Sequence, residues 1–149
     1  MDIREASLTI PAQLDQIQHA SSVVRRLAEE IGFAESDLNQ IELAVYEACA
    51  NIVQHAYAHQ TDGHVHISAR AEPGRRIVIT LLDTGTTFDP QTIPAYDPQQ
   101  VTEGDGQVGG LGLFLIRRMM DEVHFEFCVP GSELGLPGCF NRLTLIKNL

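Results

Sequence analysis

Apolar residues recur at helical spacing in the first third of the chain. One stripe lies between Pro11 and Gly32, and a second extends from about Ser36 to Tyr57. Proline suits a first helical position, serine suits an N-cap, and glycine suits the residue that ends a helix. We therefore predict two helices, which begin near Pro11 and Ser36, after a first strand at 4–10.

After the second helix the apolar pattern changes to the two-residue period of strands. Runs of this kind occupy 64–70 and 76–83 around a Pro-Gly loop, and two more occupy 124–129 and 140–147. The stretch 110–123 returns to helical spacing and separates the two pairs of strands. The second half is therefore predicted to consist of two hairpin-like strand pairs with one helix between them.

A long segment without any period, 89–108, precedes this third helix and contains three prolines and two glycines. Loops of this length inside compact domains are typically lids or binding loops. The predicted order is thus β-α-α-β-β-lid-α-β-β. This order predicts one α/β (α+β) domain over 1–149, a two-layer sandwich with a mixed, mostly antiparallel sheet and helices on one face.

The formal charge of the chain is −10. A nucleic-acid binder needs a basic footprint, so direct nucleic-acid binding is not expected. No run approaches the ~18 apolar residues of a membrane span, and the start "MDIREASL" does not resemble a signal peptide. An anionic ligand must then be held by backbone dipoles or by a metal ion.

The cysteines, Cys49, Cys128 and Cys139, are few and lack metal-type spacing. They are expected to be thiols in a cytoplasmic protein. Histidines cluster between the second helix and the next strand, at His55, His59, His64 and His66. A metal site is conceivable there, although no carboxylate completes a zinc-type motif.

Glu47 and Asn51 lie four residues apart on the second predicted helix and so share one face, beside the apolar stripe. A carboxylate and an amide oxygen placed in this way suit a Mg²⁺ ion and an activated hydroxyl. A solvated polar face has the same spacing. The pair alone does not distinguish the two interpretations.

Asp83 ends an apolar strand and Gly85 follows it. The Asp-Thr-Gly sequence would suit an aspartic protease, but those enzymes are all-β, and here two long helices precede the motif. A carboxylate at a strand end can also accept a hydrogen bond from an exocyclic amine, beside a glycine that lets a flat ring approach. An Asx turn is the plain structural alternative.

Three glycines, Gly109, Gly110 and Gly112, lie where the third helix begins. Free N–H groups at a helix start form an anion site, and missing side chains let phosphates approach. The stretch is not a Walker A loop, because no Gly-Lys-Ser/Thr follows. It is not a Rossmann fingerprint either, because a lid precedes it instead of a strand.

Together the three motifs resemble the family of bacterial anti-sigma factor serine kinases, which have a histidine-kinase-like ATPase fold. "YEACANIVQHAY" is similar to the N box of that family, "LLDTGTTFDP" to its first glycine box and "GGLGLFLIRRMMDEV" to its second. The resemblance extends from the first helix to the closing "RLTLIKNL". It favours adenine recognition over protease chemistry.

The resemblance implies a role for each motif position. Asn51 would bind Mg²⁺, and Glu47 would act as the general base. Asp83 would bind the amino group of adenine, and Gly85 would leave room for the ring.

The phosphates of ATP would lie against Gly109, Gly110 and Gly112, under a lid at 89–108. Known relatives hold a sigma factor and phosphorylate a serine on a small antagonist (anti-anti-sigma) protein. Relatives are often dimers, so a homodimer is also an option.

Two departures leave a second function open. Thr87 stands where the first glycine box usually has another glycine, and 89–108 contains no Lys or Arg. A cation over the γ-phosphate would stabilise phosphoryl transfer, whereas Arg117 and Arg118 lie beyond the start of the third helix. The alternative to a kinase is a regulatory module that binds nucleotide and sequesters a partner without catalysis.

Overall fold

The structure is a computed structural model, and it describes residues 2–56, 63–85, 111–130 and 138–149. Its elements follow the predicted order: β1 Arg4–Pro11, α1 Ile17–Glu30, α2 Glu35–Asn51, β2 His64–Glu72, β3 Arg76–Asp83, α3 Leu111–Met119, β4 Glu122–Pro130 and β5 Cys139–Asn148. A short 3₁₀ turn precedes α1, and a π-helical turn at Ile52–Ala56 follows α2.

The five strands form one sheet in the order β1-β2-β3-β5-β4. Each of the four pairings is antiparallel. A mixed, mostly antiparallel sheet was predicted, and within the described residues the sheet is fully antiparallel. The order places β3 and β5 side by side, although 55 residues separate the end of β3 from the start of β5. The end of β3 therefore pairs with the start of β5, at Asp83 and Asn141.

The two faces of the sheet differ in polarity. Residues such as Ile67, Ile79 and Leu145 are fully buried on the face that α1 and α2 cover. On the other face, Ser68 and Thr80 are paired neighbours and are at least partly exposed. The predicted two-layer sandwich with helices on one face is confirmed.

The predicted start of the first helix is wrong. Pro11 is the last residue of β1, where it pairs with His64, and the next N–H, that of Ala12, donates to Gly63 O at 2.8 Å. Strand pairing therefore extends through the proline, and α1 begins only at Ile17.

Two further boundaries differ from the predictions. Ser36 is not the N-cap of α2: Ala34 occupies that position with extended backbone and no side-chain bond, so Ser36 lies in the first turn. The third helix ends at Met119, short of the predicted residue 123, because Asp121 N–H donates to Ile146 O at 2.9 Å on β5. Pairing with the sheet thus ends the helix early.

The cysteines differ from one another. Cys49 is a free, buried thiol, and burial raises its pKa to about 12. Cys128 is disulfide-bonded, so the expectation of three thiols is wrong for it. Cys128 lies at a β-bulge in β4 with a positive φ of 51°. A bulge changes the direction of the side chains next to it, and the spacing of cysteines in the sequence does not predict this change.

In the part of the chain that the structure describes, no helix has the length and apolar character needed to cross a membrane.

Candidate functional site

One part of the site lies where α2 meets the start of α3. Glu47 and Asn51 both approach Gly112: a Cβ on this glycine would lie 3.0 Å from Asn51 Oδ1 and 3.1 Å from Glu47 Oε2. Such distances are shorter than ordinary carbon–oxygen contacts. The absence of a side chain at Gly112 therefore lets α3 pack directly against the two polar residues. We call the group Glu47, Asn51 and Gly112 the helix end of the site.

Asn51 has an unusual environment at the helix end. Its Nδ2 is buried and has no hydrogen-bond partner in the described part of the chain. Buried amide groups are almost always paired, so an unpaired one calls for an explanation. An oxygen-rich ligand beside Asn51 would provide it, and the amide oxygen on the same side chain is a ligand type that Mg²⁺ accepts.

Glu47 is half-buried between the two helices. Burial raises the pKa of its carboxyl above the ordinary value, since the charged form loses part of its hydration. A carboxylate with a raised pKa accepts a proton more readily than an exposed one. This is the property that a general base needs.

A second part of the site, which we call the strand end, lies where β3 stops beside β5. Asp83 Oδ1 accepts hydrogen bonds from Gly85 N–H at 2.9 Å and from Asn141 Nδ2 at 3.0 Å. Asn141 Nδ2 also donates to Gly85 O at 3.1 Å. The bond from Gly85 closes an Asx-type turn, so the plain structural alternative is also present.

Asp83 is only 3% exposed. Burial raises the pKa of its carboxyl, and the bonds from Asn141 and Gly85 lower it by less, so the net shift is upward. An ionised Asp83 is thus held in place by donors at one oxygen. A carboxylate of this kind is suited to accept a further hydrogen bond from a ligand.

A cavity connects the two ends of the site. Asn51 and Asp83 both line it, together with apolar and aromatic residues that include Ile52, Phe125 and Phe127. Phe127 lies within the bulge of β4, between Glu126 and Val129, and bulges next to binding sites commonly re-aim a side chain. The cavity has a volume of about 20 Å³, enough for about one water molecule. Its lining nevertheless combines apolar walls with a carboxylate acceptor, the groups that would recognise a flat apolar ring with an amine at its edge.

Among the residues that line this cavity, Phe125, Phe127 and Asn141 received no role from the sequence. In the sequence, the two phenylalanines indicate only a strand. Asn141 carried a weak signal, because it occupies an inward position in the same alternating row as Leu143 and Leu145. A polar residue in such a row needs a buried partner, and here the partner is Asp83.

The arginines of α3 lie in the last turn of this helix, and Gly112 lies in its first turn. Arg117 and Arg118 are exposed in the last turn, and the Arg118 guanidinium lies 5.5 Å from the ring centre of Phe114. Five residues of helix, or about 7.5 Å of rise, separate Gly112 from Arg117. Within the described residues, neither arginine forms an ion pair with Glu47.

The structure thus brings Glu47, Asn51 and Gly112 together. It places Asp83, which Gly85 N–H contacts, on the cavity that Asn51 also lines. Several predicted positions lie outside the described residues, namely Gly109, Gly110, Thr87, His59 and the lid 89–108. Their roles stay predictions.

Comparison with protein families gives one match that covers most of the chain. Residues 10–134 match the histidine kinase-like ATPase domain. Both ends of the site lie mostly within these bounds, with Asn141 just outside them. The match agrees with the resemblance carried by the N box and the two glycine boxes.

Curated relatives agree with this family. The serine-protein kinase RsbW of Bacillus subtilis is 32% identical over 123 residues, which are 80% of this chain and 76% of the relative. The serine-protein kinase RsbW of Halalkalibacterium halodurans is also 32% identical, over 80% of this chain and 74% of its own.

Solved structures support the fold. A crystal structure of the RsbU and RsbW domains of a Mycobacterium tuberculosis protein has a TM-score of 0.62 at 17% identity, and the likeness covers 97% of this chain and 31% of that longer one. The mycobacterial sensor histidine kinase MprB has a TM-score of 0.53 at 13% identity, over 95% and 97% of the two chains.

Three observations indicate the same family: the fold, the packing of Gly112 against Glu47 and Asn51, and the similarity over most of the length. This chain belongs to the family of histidine kinase-like ATPase domains, together with the RsbW serine-protein kinases.

Proposed function

We propose that this chain is an ATP-dependent serine-protein kinase of the anti-sigma factor type, which phosphorylates a small antagonist protein in a partner-switching pathway. One observation carries the proposal. Glu47 and Asn51 lie against Gly112 at the start of α3, and the cavity beside Asn51 reaches the buried carboxylate of Asp83. The similarity to serine-protein kinases named RsbW supports the same activity.

At the helix end, Asn51 would hold Mg²⁺ through its amide oxygen. Glu47 would take the proton from the serine hydroxyl of the antagonist, a role favoured by its half-buried position and raised pKa. When bound, Mg²⁺ and ATP supply charge neutralisation and the phosphoryl group that is transferred. The unpaired Nδ2 of Asn51 and the close approach of Gly112 fit a polar ligand at this end.

At the strand end, Asp83 would accept a hydrogen bond from the amino group of adenine, and Gly85 would give the ring clearance. The phosphates would lie against the glycines at the start of α3, at Gly109, Gly110 and Gly112. We take 1–149 as a single domain in which 89–108 closes over the nucleotide as a lid.

The partners follow from the same proposal. A sigma factor would be sequestered while the antagonist is phosphorylated, and released when unmodified antagonist competes for the kinase. The protein would act in the cytoplasm, where sigma factors work, and a homodimer would be its assembled form.

A second candidate is a regulatory module that binds nucleotide and sequesters a partner without catalysis. The cation-free composition of 89–108 favours it, and so does the position of Arg117 at the far end of α3. Under this alternative Asp83 and Asn51 keep their binding roles, and only Glu47 has no task.

One experiment separates the two functions. The protein is incubated with γ-labelled ATP, Mg²⁺ and candidate antagonist domains, with parallel samples in which a chelator removes Mg²⁺. The kinase proposal expects Mg²⁺-dependent label on a serine of one antagonist. Tight binding of Mg·ATP without transfer to any antagonist would instead support the regulatory module, and no nucleotide binding would contradict both.

A further inference from the structure

Asn141 lies in a position that an apolar residue would ordinarily fill. It occupies the inner face of β5, in the alternating row that continues with Leu143 and Leu145, and it is only 8% exposed. Its register partner on β3 is Asp83. Two buried polar side chains thus face each other across the central pair of strands.

The amide of Asn141 has a defined orientation. Its Nδ2 donates to two acceptors, Asp83 Oδ1 at 3.0 Å and Gly85 O at 3.1 Å. An amide has two N–H donors, so both are used. The reversed amide would place its oxygen against two other oxygens, and that repulsion excludes it. Asn141 therefore holds the Asp-Thr-Gly turn against β5.

These bonds treat the two oxygens of Asp83 differently. Oδ1 receives two hydrogen bonds, from Asn141 and from the N–H of Gly85. Within the described part of the chain no residue donates to Oδ2, and Asp83 lines the cavity. An ionised carboxylate can accept several hydrogen bonds, so Oδ2 keeps its capacity for a ligand donor.

We propose that Asn141 is a positioning residue, which fixes Oδ1 of Asp83 and Gly85 so that Oδ2 accepts a hydrogen bond from the exocyclic amine of a 6-aminopurine. This inference rests on the proposed function, since it requires that Asp83 meets the base. It adds the residue that determines how the base amine is recognised. Asn141 does not touch the reacting atoms and acts through Asp83.

The test compares two ligands that differ by the amine alone. Calorimetry measures the Kd of Mg·ADP and of the Mg²⁺ complex of purine riboside 5′-diphosphate, which lacks the 6-amino group. Asn141→Leu keeps the branching of the side chain at Cγ and removes the donors. Its affinity for ADP is expected to fall about tenfold, the effect of a weakened hydrogen bond to a charged group. The affinity for purine riboside 5′-diphosphate is expected to stay unchanged.

Two further variants separate positioning from packing. Leu143→Ala is the matched control, because Leu143 lines the same cavity two positions along β5 and offers no hydrogen bond. It is expected to weaken both ligands by the same factor. Asn141→Thr keeps one donor and is expected to lose less affinity for ADP than Asn141→Leu, which makes the test independent of whether the leucine variant folds.

The outcomes distinguish the two proposals. Equal loss for both ligands in the Asn141 variants would overturn the positioning role while the adenine site stands. If Asp83→Asn also leaves the preference for ADP unchanged, the adenine role of Asp83 itself is wrong. If the unmodified protein binds no adenine nucleotide, the proposed function fails, and this inference fails with it.

Discussion

The helix end and the strand end of the site each contain one carboxylate that is withdrawn from water, and they hold it differently. Burial raises the pKa of Glu47 and of Asp83 alike. At the strand end two donors oppose this shift, from Asn141 and Gly85, and burial still has the larger effect. At the helix end burial is the cause of the shift of Glu47.

The difference teaches how one site can support two tasks. A carboxylate held by fixed donors is suited to constant recognition, because its charge and direction are set before a ligand arrives. A half-buried carboxylate with a raised pKa is suited to take up a proton. We therefore propose that Asp83 binds the base and that Glu47 takes up the proton, and a substitution at either residue tests its role separately.

The largest expected effect is at the helix end. Glu47→Gln is nearly isosteric, so Mg·ATP should bind almost normally, while transfer to the antagonist should slow by about 10²–10⁴-fold through loss of the base. Quenched-flow transfer assays beside calorimetry measure both. A transfer rate equal to that of the unmodified protein would mean that Glu47 is not the general base and is only a polar residue on the surface of the helix.

Asn51 should matter for binding as well as for transfer. Even the loss of a residue that only supports a metal ligand costs about 10–100-fold in metal affinity, so Asn51→Ala should weaken Mg·ADP by at least that factor. Titrations of ADP with and without Mg²⁺ measure this effect. If the ADP affinity of Asn51→Ala still depends on Mg²⁺ as before, Asn51 does not bind the metal ion.

A methyl group at Gly112 tests the packing between α2 and α3. Gly112→Ala would place a Cβ 3.0 Å from Asn51 Oδ1, so Asn51 must shift and nucleotide affinity should fall several-fold. Alanine favours a helix by about 0.8–1 kcal/mol over glycine, which should keep the Tm close to its original value.

Arg117→Ala is the matched control for Gly112→Ala, since Arg117 is exposed at the other end of α3. It should change neither affinity nor Tm. If Gly112→Ala binds nucleotide as tightly as this control, the close packing of the glycine has no role in the site.

The smallest effect concerns stability at the strand end. The pKa of Asp83 in the folded protein is above its ordinary value of 3.8. The protonated Asp83 side chain therefore stabilises the fold fully below pH 3.8, and this stabilisation is lost as the pH rises through the folded pKa. Asp83→Asn keeps an oxygen for both donors and removes the buried charge. It should raise the Tm by a few degrees at pH 7, and the gain should disappear near pH 3.8.

Thermal melts of both proteins across this pH range check the sign. A Tm that falls at pH 7 in Asp83→Asn would mean that the hydrogen bonds from Asn141 and Gly85 outweigh burial. The charged form of Asp83 would then be stabilised more strongly, relative to that of Glu47, than we infer.

The sequence predicted the order of the elements and the face shared by Glu47 and Asn51, because both depend on spacing along one helix or strand. Boundaries were predicted less well. Pro11 has the right chemistry for a helix start, but its position opposite His64 in the sheet decides its conformation. The end of α3 is likewise set by the bond from Asp121 to β5.

Asn141 could not have been assigned a role from the sequence. Its contact with Asp83 joins residues 58 positions apart and exists only because β3 and β5 are neighbours in the sheet. The same holds for Phe127, which reaches the cavity next to an irregularity in β4. Motif spacing located the two carboxylates, and strand pairing determined what surrounds them.

The most direct test of the central claim, that the two carboxylates have separate tasks, is a single-turnover transfer assay at saturating Mg·ATP. It compares the unmodified protein, Asp83→Asn and Glu47→Gln with one antagonist. We predict that Asp83→Asn approaches the unmodified rate once ATP saturates, while Glu47→Gln stays slower by about 10²–10⁴-fold. Equal rates for the two variants at saturation, whether both fast or both slow, would contradict the division of roles.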